Sequence, residues 1–242
     1  MSRAPDGAWP PAWAPDELRH AGRENVDADH VARYDQKEDA DAAAEVRRLG
    51  GLGLDARSTV IDLGAGTGQF TLAVAPHCRS VVAVDVSPLM VQRLEAKLAA
   101  AGHDNVDVVQ AGFLTYEHEG DPVDFVYSRW ALHHLGDAWK AMALHRIRQL
   151  LRPGAVLRLL DVAYSFAPAE MSDRIERWRS TLPVAAETAD AWVRADIDEH
   201  VRDEHSTFTW LLEPMMERTG LRVEEAIYSA DGFFAEYVAR AV

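Results

Sequence analysis

Short apolar runs alternate with amphipathic stretches along most of the chain. Thr59–Leu63, Ser80–Val84, Val106–Gln110 and Val123–Ser128 are rich in apolar and β-branched residues, and Ala155–Leu160 is nearly continuous in apolar residues. Runs of this length and composition predict strands, the last covered on both faces of a sheet. Between them the period lengthens to that of a helix. Thr67–Pro76 and Pro88–Ala101 read as helices; in the second, Met90, Leu94 and Leu98 share one face, Ser87 supplies a cap and Pro88 a first-turn proline. Asp137 opens another helix, with Trp139, Met142, Ile147 and Leu150 along its stripe, and Arg152, Pro153 and Gly154 are expected to stop it. Upstream, Val31, Tyr34, Ala42, Val46 and Leu49 recur at near-helical spacing, which predicts one or two helices before the first strand.

Strands alternating with helices predict an α/β fold with a mostly parallel sheet and right-handed crossovers. Leu221–Tyr228 and Phe233–Val238, separated by Ala230, Asp231 and Gly232, add an antiparallel C-terminal hairpin and bring the sheet to seven strands. Residues 164–217 break the alternation with a helix-rich stretch holding Trp178, Trp192 and Trp210, expected to form a helical cap over the carboxyl edge of the sheet, where open α/β sheets bind ligands. The expected organisation is an extended arm over 1–25, an α/β domain over 26–163 and 218–242, and a cap insertion over 164–217. In the arm, Pro5, Pro10, Pro11 and Pro15 are interleaved with Trp9 and Trp13. The tryptophans are expected to pack on the body or on a second copy of the chain, which would make a homodimer through the arm.

Composition narrows the classes of partner. With 25 basic against 39 acidic side chains in 242 residues, the net charge is −14, which argues against nucleic acid as a partner because phosphate binding draws on clustered Lys and Arg. No window approaches the roughly 18 to 20 apolar residues of a membrane helix, and the N-terminus lacks the basic and apolar regions of a secretory signal, so no membrane partner is expected. The single cysteine, Cys78, excludes an intrachain disulfide and fits a reducing compartment; the expected location is cytoplasmic. Adjacent His133 and His134, with His145 well beyond them, lack zinc-binding spacing, so no metal is expected.

Candidate chemistry lies between the first strand and its helix. Gly64, Gly66 and Gly68 alternate within Asp62-Leu63-Gly64-Ala65-Gly66-Thr67-Gly68. Such a bend lets the backbone approach a ligand closely, with free helix amides pointing at it. Asp85 ends the second strand, where its carboxylate can accept both hydroxyls of a ribose. Asp62, immediately before the bend, separates two readings: a diphosphate there would meet a like charge, whereas an ammonium or sulfonium would be attracted.

On these residues the chain resembles the class I methyltransferases that use S-adenosylmethionine, in particular the small-molecule and ubiquinone-biosynthesis-like group. The resemblance is carried by Val60–Phe70, by Val84-Asp85-Val86-Ser87, by Phe125-Val126-Tyr127-Ser128-Arg129 and by the turn Leu151-Arg152-Pro153-Gly154, in the family's order over about residues 58–161. It implies a Rossmann-like sheet and a place for each part of the cofactor. Gly64, Ala65, Gly66, Thr67 and Gly68 would pass beneath the methionine part, Asp62 would hold its amino group, and Asp85 would grip the ribose. Val86 and Met90 would flank the adenine. Gly112 stands where many relatives carry an acid that accepts from the adenine amino group, so that contact would fall to the backbone near Phe113, with the phenyl ring as a wall. Ser128 would turn its carbonyl toward the cofactor's amino group. Tyr34, in a segment similar to the family's N-terminal helix, lies either near the transferable methyl or in a packing stripe.

Methyl transfer from a sulfonium needs alignment above all, so few catalytic groups are obligatory. His133 is the first candidate base and His134 the second; the alternative is that the histidine pair caps or buttresses the helix from Asp137, and Trp130 either walls the acceptor pocket or packs beneath it. Glu204, His205 and Trp210 form a polar and aromatic group in the cap with no assigned role. The Asn/Asp-Pro-Pro-aromatic motif of enzymes that methylate planar exocyclic nitrogens is absent, Ser128-Arg129-Trp130 standing in its place, so O-methylation of a small-molecule acceptor is the favoured reading. Two rivals remain open: a nicotinamide-dependent oxidoreductase sharing the glycine bend, and a catalytically silent binding module that keeps the cofactor fold.

Overall fold

The computed structural model describes residues 11, 13–22, 41–184 and 193–242 of the protein. The short helix α1 (Glu17–His20) and α2 (Ala42–Gly51) precede β1 (Thr59–Leu63), α3 (Gln69–Val74), β2 (Ser80–Asp85), α4 (Pro88–Ala101) and β3 (Val106–Gln110). There follow β4 (Val123–Arg129), α5 (Asp137–Leu150), β5 (Leu151–Tyr164), α6 (Met171–Ser180), α7 (Arg194–Asp203), β6 (Thr207–Phe208), α8 (Thr209–Arg218), β7 (Leu221–Tyr228) and β8 (Phe234–Ala241). The sheet runs β3-β2-β1-β4-β5-β8-β7, with β6 pairing off this path against β5. β1 to β5 pair in parallel, while β8 lies antiparallel to β5 and β7 antiparallel to β8. The expected seven-stranded sheet is this path, and the two-residue β6 is an addition too short to leave a pattern in the sequence.

Strand alternation divides the core between the two faces. Ile61 and Leu63 join Leu144 and Ile147 of α5 and Leu212 and Met216 of α8. Val60 turns the other way, toward Val46 and Leu49 of α2 and Phe70 and Val74 of α3. α4 follows its sequence closely: Ser87 Oγ accepts from the Met90 amide, Gly102 closes the helix at φ 72°, and Met90, Leu94 and Leu98 are buried. Cys78 is buried beneath α3, its thiol donating to the Val74 carbonyl, and burial pushes its pKa up to about 11.

Four expectations need correction. The helix expected from Thr67 begins only at Gln69, because the left-handed backbone of Gly66 and Gly68 holds those residues in the bend. The turn at Arg152–Gly154 does not separate helix from strand; it is an irregularity inside β5, whose pairing with β4 jumps from Val123↔Leu151 to Phe125↔Val156. α8, assigned to the cap by position, packs Leu212 and Met216 into the sheet's core, leaving α6 and α7 above the carboxyl edge. The arm is not wholly extended, since Asp16 caps the helical turn of α1. Trp13 stacks on Trp139 at 6.1 Å between ring centroids. Trp9, Tyr34, Trp192 and most of the first predicted helical segment lie outside the described residues. Among the described residues no helix is long and apolar enough to cross a membrane.

Candidate active site

The glycine bend is fastened to the end of β2. The amides of Gly64 and Ala65 both donate to the Val84 carbonyl, at 2.8 and 3.0 Å. The Asp85 carboxylate accepts from the Gly66 amide on one side and the Ser87 amide on the other, each at 2.8 Å. Gly64 is irreplaceable on two counts: its φ is 76°, and a Cβ there would lie 2.3 Å from the Ala131 Cβ. The residues after β4 therefore close directly over the bend.

Two adjoining clefts open at this edge. The first, about 610 Å³, is walled by Gly64, Gly66, Asp85, Val86, Gly112 and Phe113, with Arg129, Trp130 and His134 opposite. The second, about 460 Å³, holds Asp62, Ala65 and Thr67 and shares Gly64, Gly66, Arg129 and Trp130 with the first. Most residues expected at a nucleoside site thus converge from three separate loops. Met90 and Ser128 are fully buried and stand on neither wall, and Gly68 packs against Leu94. Met90 is a core residue of α4 rather than a flank of the ligand.

Burial dominates the electrostatics of the two acids. Asp62, on the face of β1 that looks toward α3, accepts from the Thr71 hydroxyl at 2.6 Å. Its pKa is raised to about 7, chiefly by desolvation and further by the nearby Asp85 carboxylate, with the Thr71 bond opposing. Asp85 is also raised by burial, against the pull of the Ser87 and Gly66 amides. Among the described residues neither acid pairs with a lysine or arginine. Two desolvated carboxylates flanking a backbone cradle suit a ligand that brings its own positive charge, and oppose a diphosphate.

Sequence reasoning missed two wall residues, Arg129 and Glu17, while it offered Trp130 as a wall of the acceptor pocket and His134 as the second candidate base. Arg129 lies over the Trp130 ring at 5.4 Å, and its buried Nε has no hydrogen-bond partner among the described residues. Trp130 is the single non-glycine at positive φ among the described residues, at 50°; strain of this kind in a bulky residue clusters at functional sites. His134 faces the first cleft, and Glu17 reaches it from the arm. The one available signal for the missed pair was adjacency to the end of β4, which covers Arg129 and not Glu17.

His133 is not the base. It is buried away from both clefts, with Nδ1 on Asp161 Oδ1 at 2.5 Å and Nε2 on Glu204 Oε2 at 3.1 Å. Burial alone would lower its pKa, but the two carboxylates override this and lift it to about 10, so the ring is an imidazolium at neutral pH. Asp161 also accepts from the Leu132 and His133 amides, and Glu204 pairs with His200, so the group ties the loop after β4 to β5 and to the end of α7. The ligand-type atoms of His133, His200 and Glu204 lie within 4.8 Å of one another, but the ring nitrogens are committed to carboxylates. His134 is the opposite case: burial and the His133 charge push it down to about 3, leaving it neutral.

The clamp has a pH signature. Because the folded pKa of His133 lies above the unfolded value of about 6.5, its stabilisation is complete below that value and drains away as pH rises through about 10. The gap in thermal midpoint between the wild type and His133→Asn is therefore expected to narrow from pH 6 to pH 10; a constant gap would mean a neutral ring throughout.

A parallel α/β sheet closed by an antiparallel hairpin, with a glycine bend between two buried acids at its carboxyl edge, defines the class I methyltransferase architecture. Residues 60–154 match the methyltransferase-domain family. An uncharacterized methyltransferase of Geobacillus kaustophilus is 29% identical over 134 residues, 55% of this chain and 60% of the relative. The chain spans between 49% and 60% of the length of the first curated relatives it matches. Among solved structures, the N-methyltransferase NodS of Bradyrhizobium japonicum in complex with S-adenosylhomocysteine superposes with a TM-score of 0.62 at 17% identity, covering 94% of this chain and 99% of that one. A SAM-dependent methyltransferase of Aquifex aeolicus gives 0.59 at 18%, covering 90% and 100%. The nicotinamide reading is left without support by these comparisons.

Proposed function

We propose that the protein transfers a methyl group from S-adenosylmethionine to a small-molecule acceptor, a hydroxyl being favoured. The carrying observation is the pair of buried acids, Asp62 and Asp85, on either side of a backbone cradle, neither of them ion-paired with a lysine or arginine among the described residues. In this reading Asp62 receives the ammonium, Arg129 the carboxylate of the amino-acid part, and Asp85 the ribose hydroxyls. When bound, the sulfonium supplies an already activated methyl group. The chain's own residues bind, orient and exclude water, an alignment worth on the order of 7 to 11 kcal/mol. Trp130 and the cap helices wall the acceptor side, and neutral His134 is placed to orient an acceptor hydroxyl by a hydrogen bond. Absence of the Asn/Asp-Pro-Pro-aromatic motif after β4 supports oxygen over a planar exocyclic nitrogen.

The test is calorimetric titration with S-adenosylhomocysteine, and NADH as the competitor. Binding of the first and not the second is expected; the reverse would overturn the reading. Titration also carries a proton signature. The folded pKa of Asp62 is raised to about 7, so near neutrality a large fraction of the empty protein holds a proton there. An arriving ammonium favours the carboxylate and expels that proton. Binding at pH 6.5 should therefore release a fraction of a proton, read from buffers of different ionisation enthalpy, and affinity should weaken as pH falls below 7. Asp62→Asn should remove that release; an unchanged value in the variant would take Asp62 out of contact with the ligand.

A further inference from the structure

Away from both clefts, three metal-ligating side chains meet beneath the cap. His200 and Glu204 lie four residues apart at the end of α7, so one face of that helix end presents both. His133 approaches them from the loop after β4. The two segments are held in register by the His205 amide, which donates to the His133 carbonyl at 3.0 Å. His133 Nε2 stands 3.1 Å from Glu204 Oε2, close to the roughly 3.3 Å that neighbouring ligands keep around a tetrahedral zinc ion with bonds of about 2.1 Å. His200 Nδ1 contacts the same oxygen. Neither contact has the alignment of a hydrogen bond: Glu204 Oε2 is a buried oxygen with no hydrogen-bond partner among the described residues.

The outer nitrogens of both rings are fixed. His133 Nδ1 is bonded to Asp161 Oδ1 at 2.5 Å, and His200 Nε2 to the Ser206 hydroxyl at 2.9 Å. Partners of this kind set the tautomer and aim of metal-bound imidazoles; here they leave His133 Nε2 and His200 Nδ1 to converge on Glu204. Two imidazoles and one carboxylate select a transition ion of the zinc type over magnesium or calcium, which take oxygen ligands. Charge matches as well, since Asp161 and Glu204 bring two negative charges to a divalent ion held by neutral rings. The His133 side chain is buried, whereas those of His200 and Glu204 keep 14% and 13% exposure, which gives an ion its way in from the α7 side.

We infer that His133, His200 and Glu204 form a binding site for one divalent transition-metal ion, with Asp161 and Ser206 orienting the two rings and water in the fourth position. The metal-free protein holds a proton on His133 in this space, against the carboxylate that is itself the third ligand. The ion takes the place of that proton, which leaves to solvent. Loaded, the site fastens the end of α7 to the loop that carries Trp130 and His134 into the first cleft. The spacing of His133, His134 and His145 gives no sign of it, because two of the three ligands come from the cap. The inference is independent of the methyl donor and of its acceptor.

The full chain, freed of metal with a chelator, is titrated with zinc chloride by calorimetry and with cobalt(II), whose visible absorption reports its ligands. One ion per chain is expected, and a thermal midpoint raised by roughly 5 to 10 °C when free zinc is about 100 times its dissociation constant. His200→Ala should abolish both the cobalt absorption and the zinc-induced rise; if that variant does not fold, Glu204→Gln carries the same test with a loss of at least about 10-fold in affinity. Ser206→Ala keeps all three ligands and frees only the outer nitrogen of His200, so it should weaken zinc binding by about 10-fold. His145→Ala, which removes an exposed histidine of α5, should change neither readout. A wild type that binds no zinc overturns the inference. So does a rise that persists in His200→Ala or vanishes in His145→Ala, since the ion would then sit on surface histidines, and an affinity unchanged in Ser206→Ala counts against the site as well.

Discussion

Replacing Asp85 by alanine is expected to weaken binding of S-adenosylhomocysteine by roughly 10- to 100-fold, the loss of one or two charge-assisted hydrogen bonds of about 1.5 to 3 kcal/mol. The side chain acts twice. It receives the Gly66 and Ser87 amides and so fixes the bend relative to the end of β2, and its remaining lone pairs face the cleft. Asp85→Asn keeps the shape and one acceptor while removing the charge, so it should fall between wild type and Asp85→Ala. Unchanged affinity in both variants, measured by titration, would detach Asp85 from the ligand.

Truncating Arg158 to alanine is expected to cost about 3 to 5 kcal/mol of folding stability, the range for removing one partner of a buried ion pair. Arg158 sits mid-strand in β5 at 1% exposure. Its Nε and Nη2 donate to Glu45 of α2, both at 2.8 Å, and Nη2 also reaches Glu236 of β8 at 2.6 Å. The pair pins α2 to the sheet at a point where the neighbouring strand residues are apolar. Because the penalty arises from the carboxylates left behind, replacing Arg158 by Met and Glu45 by Leu together should cost less than Arg158→Ala alone. Denaturant melts of the two proteins decide this, and equal losses would mean that packing rather than charge governs the site.

The two predictions also mark where sequence reading succeeds and where it stops. β1 to β4, α4 and the C-terminal hairpin are legible because each is specified within its own stretch, by apolar period, cap and turn residues. The bend with Asp62 and Asp85 is legible for the same reason: the acids adjoin the strand ends that carry them. Arg158 inside an apolar run reads as an exception with no visible partner, since Glu45 lies 113 residues before it. His133 looks like a base until Asp161 and Glu204 close on it from β5 and the end of α7. Glu17 gives no local sign at all. What is illegible in each case is a contact between distant segments, which no periodicity encodes. α8 fails differently, because a helix following two cap helices gives no sign of having returned to the sheet.

The lone thiol has a practical corollary. Cys78 is the one cysteine in 242 residues and is buried, with its pKa pushed up to about 11, so maleimide dyes and spin labels should find almost no thiolate to attack. A cysteine introduced at Val184, 75% exposed, or in the arm at the exposed Arg19, then becomes a unique attachment point. Resonance-energy or electron-spin distances between arm and cap can be measured with the native thiol left in place.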